Sequence, residues 1–331
     1  MHRILPCLVL LAVAGGAGAA AIHANDAAFA RPHQLVDIGG RRLNLYCSGS
    51  GPVTVVFDSP ATDAGWNWHT VQPGVAARTR ACVYDRAGVG FSDPSPAAST
   101  SGNLVADLHA LLGKAGIDPP YVMVGSSFGA MNVQLYAYRY PDEVKGLVLV
   151  DPPHDDETER INKASQGKLK EFDAMMDGFT RQCASAAAKG FDLQGELFAQ
   201  CTGGLREEYG RELAAARLAS VSTPTFWKAF VSESDGMDTS SAELKAARRS
   251  FGALPMTVLV RGVSPYAVPG KPQSALNKAT EAEHLAMQKE IAAYSTRSTL
   301  RIVPGAGHII HETRPEAVVQ AVLEVVGQLG K

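Results

Sequence analysis

Residues 122–132 read VMVGSSFGAMN, and this stretch sets the frame for the rest of the chain. Apolar residues lead into Gly125, two serines follow, and Phe128 and Gly129 come just before a helical pattern. A serine flanked at two residues' distance by glycines, between a strand and a helix, is the nucleophile-elbow arrangement. The turn is so tight that side chains at the flanking positions would strike neighbouring backbone. The central residue is held in a strained conformation that projects its side chain from the sheet edge. The helix start beside it offers free N–H groups and the positive end of a dipole. Spacing selects the serine: Ser127 has Gly125 before it and Gly129 after it, whereas Ser126 would have Val124 and Phe128 there. Ser127 is therefore the candidate nucleophile, and the N–H of Phe128 is a candidate oxyanion donor.

Outward from the elbow, short β-branched runs recur: PVTVVFDS, RACVYDR, KGLVLVDP, PMTVLVRG and TLRIVPG. Nearer the N-terminus, LVDIGGRRLNLYCSG reads as a hairpin with a Gly-Gly turn. Amphipathic patterns such as TSGNLVADLHALLGKAG and RPEAVVQAVLEVVGQL separate the runs. Apolar strands alternating with helices predict an α/β fold, a doubly wound and mostly parallel sheet covered on both faces. The alternation breaks across residues 154–250, a charged, helical stretch expected to be a cap inserted between two core strands. The core is then expected over residues 34–153 and 251–331.

At 331 residues and 46% apolar content the chain can bury a sizeable core. A net charge of −2 without a long Lys/Arg run gives no reason to expect a nucleic-acid partner. His2 and Arg3 precede ILPCLVLLAVAGGAGAAA, the layout of a secretory leader over residues 1–24 with a cleavage window at 19–30. Its strongly apolar part ends near Ala14, short of the ~20 residues that a span requires, so no stable membrane span is expected after leader removal. The expected location is periplasmic or secreted. Cys7 falls in the leader, and the mature chain keeps Cys47, Cys82, Cys183 and Cys201. In an oxidising compartment these permit two disulfides. Cys183 and Cys201 flank a helix–loop–helix pattern, and Cys47 and Cys82 each lie in an expected strand. No His/Cys spacing points to a metal, and no cofactor is expected.

A serine nucleophile needs a base. His308, in RIVPGAGHIIHETRPEAV, follows the last strand pattern, where loops meet ligands in open α/β sheets. His311, beside the start of the next helix, is the competitor and reads as a structural hydrogen-bonding residue.

With VVFDSPATDAGWNW, YDRAGVGFSD, GSSFG, KGLVLVDPP and PGAGHIIHETRPE together, the chain resembles the α/β-hydrolase superfamily from about Gln34 to Gly330. The resemblance implies about eight strands, a helical cap after the sixth, and hydrolysis by serine, histidine and an acid. Most members carry the acid after the seventh strand, but GVSPYAVPGKPQSA holds no carboxylate. Asp151, ending the sixth strand, is the expected acid, and Glu281 and Glu283 are the alternatives. The second oxyanion donor is implied in DSPATDAGW, where Pro60 has no N–H, so Ala61 is the candidate. Asp85 and Ser92 are expected to be structural, and Trp66 and Trp68 either line the pocket or pack the loop. Phe226, Trp227 and Met237 in the cap read as packing, with contact to substrate as the alternative. The expectation is an exported serine hydrolase acting on a small or medium ester. An aminopeptidase on short peptides, or a hydrolase-fold binding protein with little turnover, stays open.

Overall fold

The computed structural model describes residues 26–329 apart from positions 207 and 269. The expected leader, residues 1–24, and Cys7 lie outside the described residues.

Eight strands form one sheet: β1 (Gln34–Asp37), β2 (Arg42–Ser48), β3 (Thr54–Asp58), β4 (Arg80–Tyr84), β5 (Tyr121–Ser126), β6 (Val144–Val150), β7 (Met256–Arg261) and β8 (Ser298–Val303). Their spatial order is β1-β2-β4-β3-β5-β6-β7-β8. β1 and β2 pair antiparallel, as do β2 and β4, and every other neighbouring pair is parallel. The expected hairpin is β1–β2, with Asp37 Oδ1 accepting from the N–H groups of Gly39 and Gly40 at 2.8 Å.

The strands read as continuous apolar runs because both faces are covered. Successive side chains point to opposite faces, so Val55 and Phe57 enter one core while Val56 enters the other. Val122, Val124, Val148 and Val150 share the first core, and Met123, Leu147 and Leu149 the second. Helices Ser101–Lys114 and Phe128–Arg139 supply the second core, and helix Pro315–Gly327 the first.

Between β6 and β7 the described residues contain six helices, from Glu157–Ala164 to Met237–Ala247. This helical insertion is tied down by polar contacts as well as packing. Ser240 Oγ accepts from Ser101 N–H at 2.9 Å, and Arg248 Nη1 donates to Asp155 Oδ1 at 2.7 Å. Cys183, in helix Lys168–Lys189, is disulfide-bonded to Cys201, in helix Glu196–Thr202. The second disulfide joins Cys47 to Cys82, which face each other on β2 and β4. At the start of the described chain, Phe29 is buried and Asp26 Oδ2 accepts from Gly210 N–H at 2.6 Å. Among the described residues, no helix is long and apolar enough to cross a membrane.

Candidate active site

The site is built at the carboxyl ends of neighbouring parallel strands. Ser127 sits between β5 and helix Phe128–Arg139 with φ 51° and ψ −123°, a region that L-residues rarely occupy. Its N–H donates to Val150 O at 3.0 Å, which pins the strained turn to β6. The flanking glycines are required by contact. A Cβ on Gly125 would lie 2.3 Å from Gly129 O, and one on Gly129 would lie 2.3 Å from Asp58 O. Ser126 is fully buried, and Ser127 is partly exposed.

His308 follows β8 and faces Ser127, with Nε2 2.9 Å from Oγ. Its Nδ1 lies 2.6 Å from Asp151 Oδ2. A carboxylate only accepts, so Nδ1 carries the hydrogen and Nε2 presents its lone pair to the serine hydroxyl. Asp151 follows β6, has φ 45°, and donates its own N–H to Leu259 O at 2.7 Å.

Asp151 is buried and meets more than the histidine. Its Oδ1 accepts from Arg261 N–H at 3.0 Å and from His284 Nε2 at 3.1 Å, and its Oδ2 accepts from Arg261 Nη1 at 3.0 Å. Burial pushes the carboxyl up. The hydrogen bonds from His284 and His308 and the Arg261 charge outweigh it and hold Asp151 well below the usual carboxylate range. Of the alternative acids, Glu281 pairs with Arg261 at 3.1 Å and Glu283 with Arg160 at 2.6 Å. Both carboxylates are engaged by guanidinium groups, and neither meets His308.

His311 is buried, stacks on Trp68 with ring centroids 4.1 Å apart, and hydrogen-bonds Asn67 Oδ1 through Nε2. Burial, with the neighbouring His308 and His69, lowers it to about 3, so it is a neutral structural imidazole. Asp85 accepts from Gly65 N–H, Phe91 N–H and Asn44 Nδ2 at 2.8, 2.9 and 3.0 Å, and Ser92 Oγ donates to Asp85 O at 2.7 Å. Both organise their loop. Trp66 and Trp68 are buried in the loop after β3, and Trp66 Nε1 donates to Asp63 Oδ1 at 2.7 Å. Phe226 and Trp227 pack in the first core, and Met237 packs against the second.

Phe128 opens its helix, so its N–H is one of the four with no intrahelical acceptor. In the loop after β3, Pro60 contributes only a carbonyl, which accepts from Arg86 Nη2 at 2.6 Å. Ala61, partly buried, follows it, and among the described residues its N–H has no acceptor.

His154, Asp155 and Asp156 bring ligand-type atoms within 4.8 Å of one another. Arg248 and Lys245 already neutralise the two aspartates, and His154 Nδ1 accepts from Asp156 N–H at 3.0 Å.

Arg261, His284, Arg86 and Glu233 were not among the residues the sequence singled out. His284 carried a readable signal. Helix Ala275–Ala292 buries Thr280, His284, Met287, Gln288 and Ile291, so polar residues occupy the core-facing stripe. Arg261 likewise ends an otherwise uncharged strand.

A model of the alpha/beta hydrolase fold family matches residues 60–189. The chain is 34% identical over 120 residues to 2-hydroxy-6-oxo-2,4-heptadienoate hydrolase of Pseudomonas putida, covering 35% of this chain and 43% of the relative. It is 35% identical over 104 residues to the uncharacterized protein YqjL of Bacillus subtilis, covering 31% and 41%. The chain thus spans under half the length of these curated relatives. Among solved structures it resembles a putative epoxide hydrolase mutant from Pseudomonas aeruginosa, with TM-score 0.64 and 20% identity, covering 89% of this chain and 95% of that one. It also resembles a thermophilic esterase from Thermogutta terrifontis, with TM-score 0.60 and 19% identity, covering 91% and 100%.

Proposed function

We propose that this chain, which a model of the alpha/beta hydrolase fold family matches over residues 60–189 and which shares the fold of solved hydrolases, is an exported serine hydrolase cleaving carboxylic esters of small to medium size. The observation that carries this reading is the unbroken hydrogen-bonded relay Asp151–His308–Ser127, with links of 2.6 and 2.9 Å. In the proposed reaction His308 Nε2 takes the Ser127 proton as Oγ attacks the ester carbonyl. Phe128 and Ala61 N–H groups hold the oxyanion. The alcohol leaves with the proton returned by His308, and a water activated by the same nitrogen releases the acyl group. Asp151 stays ionised throughout, holding the tautomer and stabilising the imidazolium.

Export is supported by the leader pattern and by two disulfides that suit an oxidising compartment. The contact between Asp26 and Gly210 favours cleavage before Asp26 within the 19–30 window.

The test is labelling of the mature protein by a fluorophosphonate probe together with turnover of a p-nitrophenyl ester series. Wild type is expected to label and turn over, and Ser127→Ala to do neither. Absence of both in the wild type defeats the reading and favours the binding-protein alternative. Faster turnover of aminoacyl-naphthylamides, or of a 2-hydroxy-6-oxo-dienoate, would replace the ester assignment.

A further inference from the structure

The loop after β3 is held by a buried charge cluster that reaches it from the helical insertion. Arg86 is 2% exposed, Glu233 2% and Asp58 0%. Arg86 Nη1 donates to Asp58 Oδ1 at 2.7 Å and to Ser59 O at 2.8 Å, while Nη2 donates to Pro60 O at 2.6 Å. On its other side Arg86 Nε donates to Glu233 Oε1 at 2.7 Å. Glu233 Oε2 in turn accepts from Thr62 N–H at 2.6 Å. Thr62 has φ 62°, a left-handed conformation that a β-branched residue holds only under constraint.

These contacts hold the two successive peptide units that flank Ala61, one by its carbonyl and the other by its N–H. The Pro60 carbonyl and the Ala61 N–H belong to the same trans peptide and point in opposite directions. With the carbonyl held on the guanidinium, the Ala61 N–H is turned away from Arg86. The next N–H, on Thr62, is held by Glu233. Burial disfavours the Arg86 charge, and Glu233 and Asp58 outweigh that and raise Arg86, so the guanidinium stays charged between the two carboxylates.

We propose that Glu233, a residue of the helical insertion, is a positioning residue that orients the Ala61 N–H for the oxyanion through Arg86 and Thr62. This rests on the reading of Ala61 as donor. Seating helix Pro224–Asp235 then completes the hole that Pro60 by itself leaves one donor short. Loss of one preorganised oxyanion donor lowers kcat by about 10²–10³.

The test compares wild type, Glu233→Gln and Glu233→Ala. Glu233→Gln keeps an acceptor for Thr62 and loses the charge opposite Arg86, so it is expected to fall between the other two. For Glu233→Ala, kcat on p-nitrophenyl esters is expected to drop about 100-fold with KM within about twofold. Affinity for a trifluoromethyl ketone, which forms a tetrahedral adduct on serine, should fall in parallel, while inhibition by the product acid is unchanged. A kcat loss without the matching loss of ketone affinity, or wild-type kcat in Glu233→Ala, overturns the proposal. Hydrogen exchange at Thr62, whose N–H Glu233 holds, reads the clamp without any turnover. It should quicken more than about tenfold in Glu233→Ala and stay slow around Ser127. Unchanged exchange also overturns the proposal. A wild type that neither labels nor turns over defeats the serine-hydrolase reading instead, and the exchange result still decides the clamp.

Discussion

At Asp151, four donors converge on one carboxylate: two from Arg261, one from His284 and one from His308. The proposed base therefore meets an acid whose orientation does not depend on the base itself. Its depressed titration has a defined sign. The folded carboxyl stays ionised where the unfolded one takes up a proton, so this stability is present above the usual carboxylate range and lost below it. Asp151→Asn is expected to keep the fold and lower kcat by about 10³–10⁴, because an amide presents the wrong partner to His308 Nδ1. Circular dichroism and kcat on a p-nitrophenyl ester check both halves. Ser127 and His308 were legible from local sequence, since glycine spacing and the position after β8 are written in a few contiguous residues. For the carboxylate that meets His308, Asp151 was the expectation and Glu281 and Glu283 stayed as alternatives. All three are chemically alike as letters and each meets a guanidinium group, and it is the fold that brings Asp151 alone of the three to His308.

Strands and helices were more readable than the contacts between them. Apolar runs covered on both faces announce themselves, and all eight strands fall where such runs or the Gly-Gly hairpin predicted them. The element that carries His311 shows the limit. Sequence spacing made it the competitor and read it as structural, and only the fold supplies its partners, Trp68 and Asn67, and the burial that makes it a neutral prop. Its folded value of about 3 lies below the ordinary 6.5, so between those limits the unfolded chain binds a proton that the folded chain does not. Stability therefore falls as pH drops through that window. Replacing His311 by Gln is expected to remove about 2 kcal/mol of the stability lost between pH 6 and pH 4. Urea unfolding of wild type and variant at the two pH values gives the difference, in which the contributions of other acids cancel.

Over the whole molecule, the insertion and the sheet are fastened by a few long-range polar links and by packing. The Cys183–Cys201 disulfide closes a loop of sequence separation 18 within the insertion. Replacing both cysteines by serine is expected to lower the unfolding free energy by about 3 kcal/mol, read as a lower denaturation midpoint that reductant no longer moves further on that account. This pair was foreseeable from two helices flanking a short loop. Glu233 was not, because its partner Arg86 lies 147 residues away and the apolar neighbours on its own helix mark that face as packing. By itself the sequence determined the strand–helix alternation, the elbow that presents Ser127, and the histidine after the last strand. Each of these depends on the conformational preferences of contiguous residues. Only the tertiary structure decided that Asp151 faces His308, that Arg261 and His284 hold it, and that the insertion reaches the loop at Ala61. Those outcomes depend on which buried charges find partners across the sheet, and no local pattern records that.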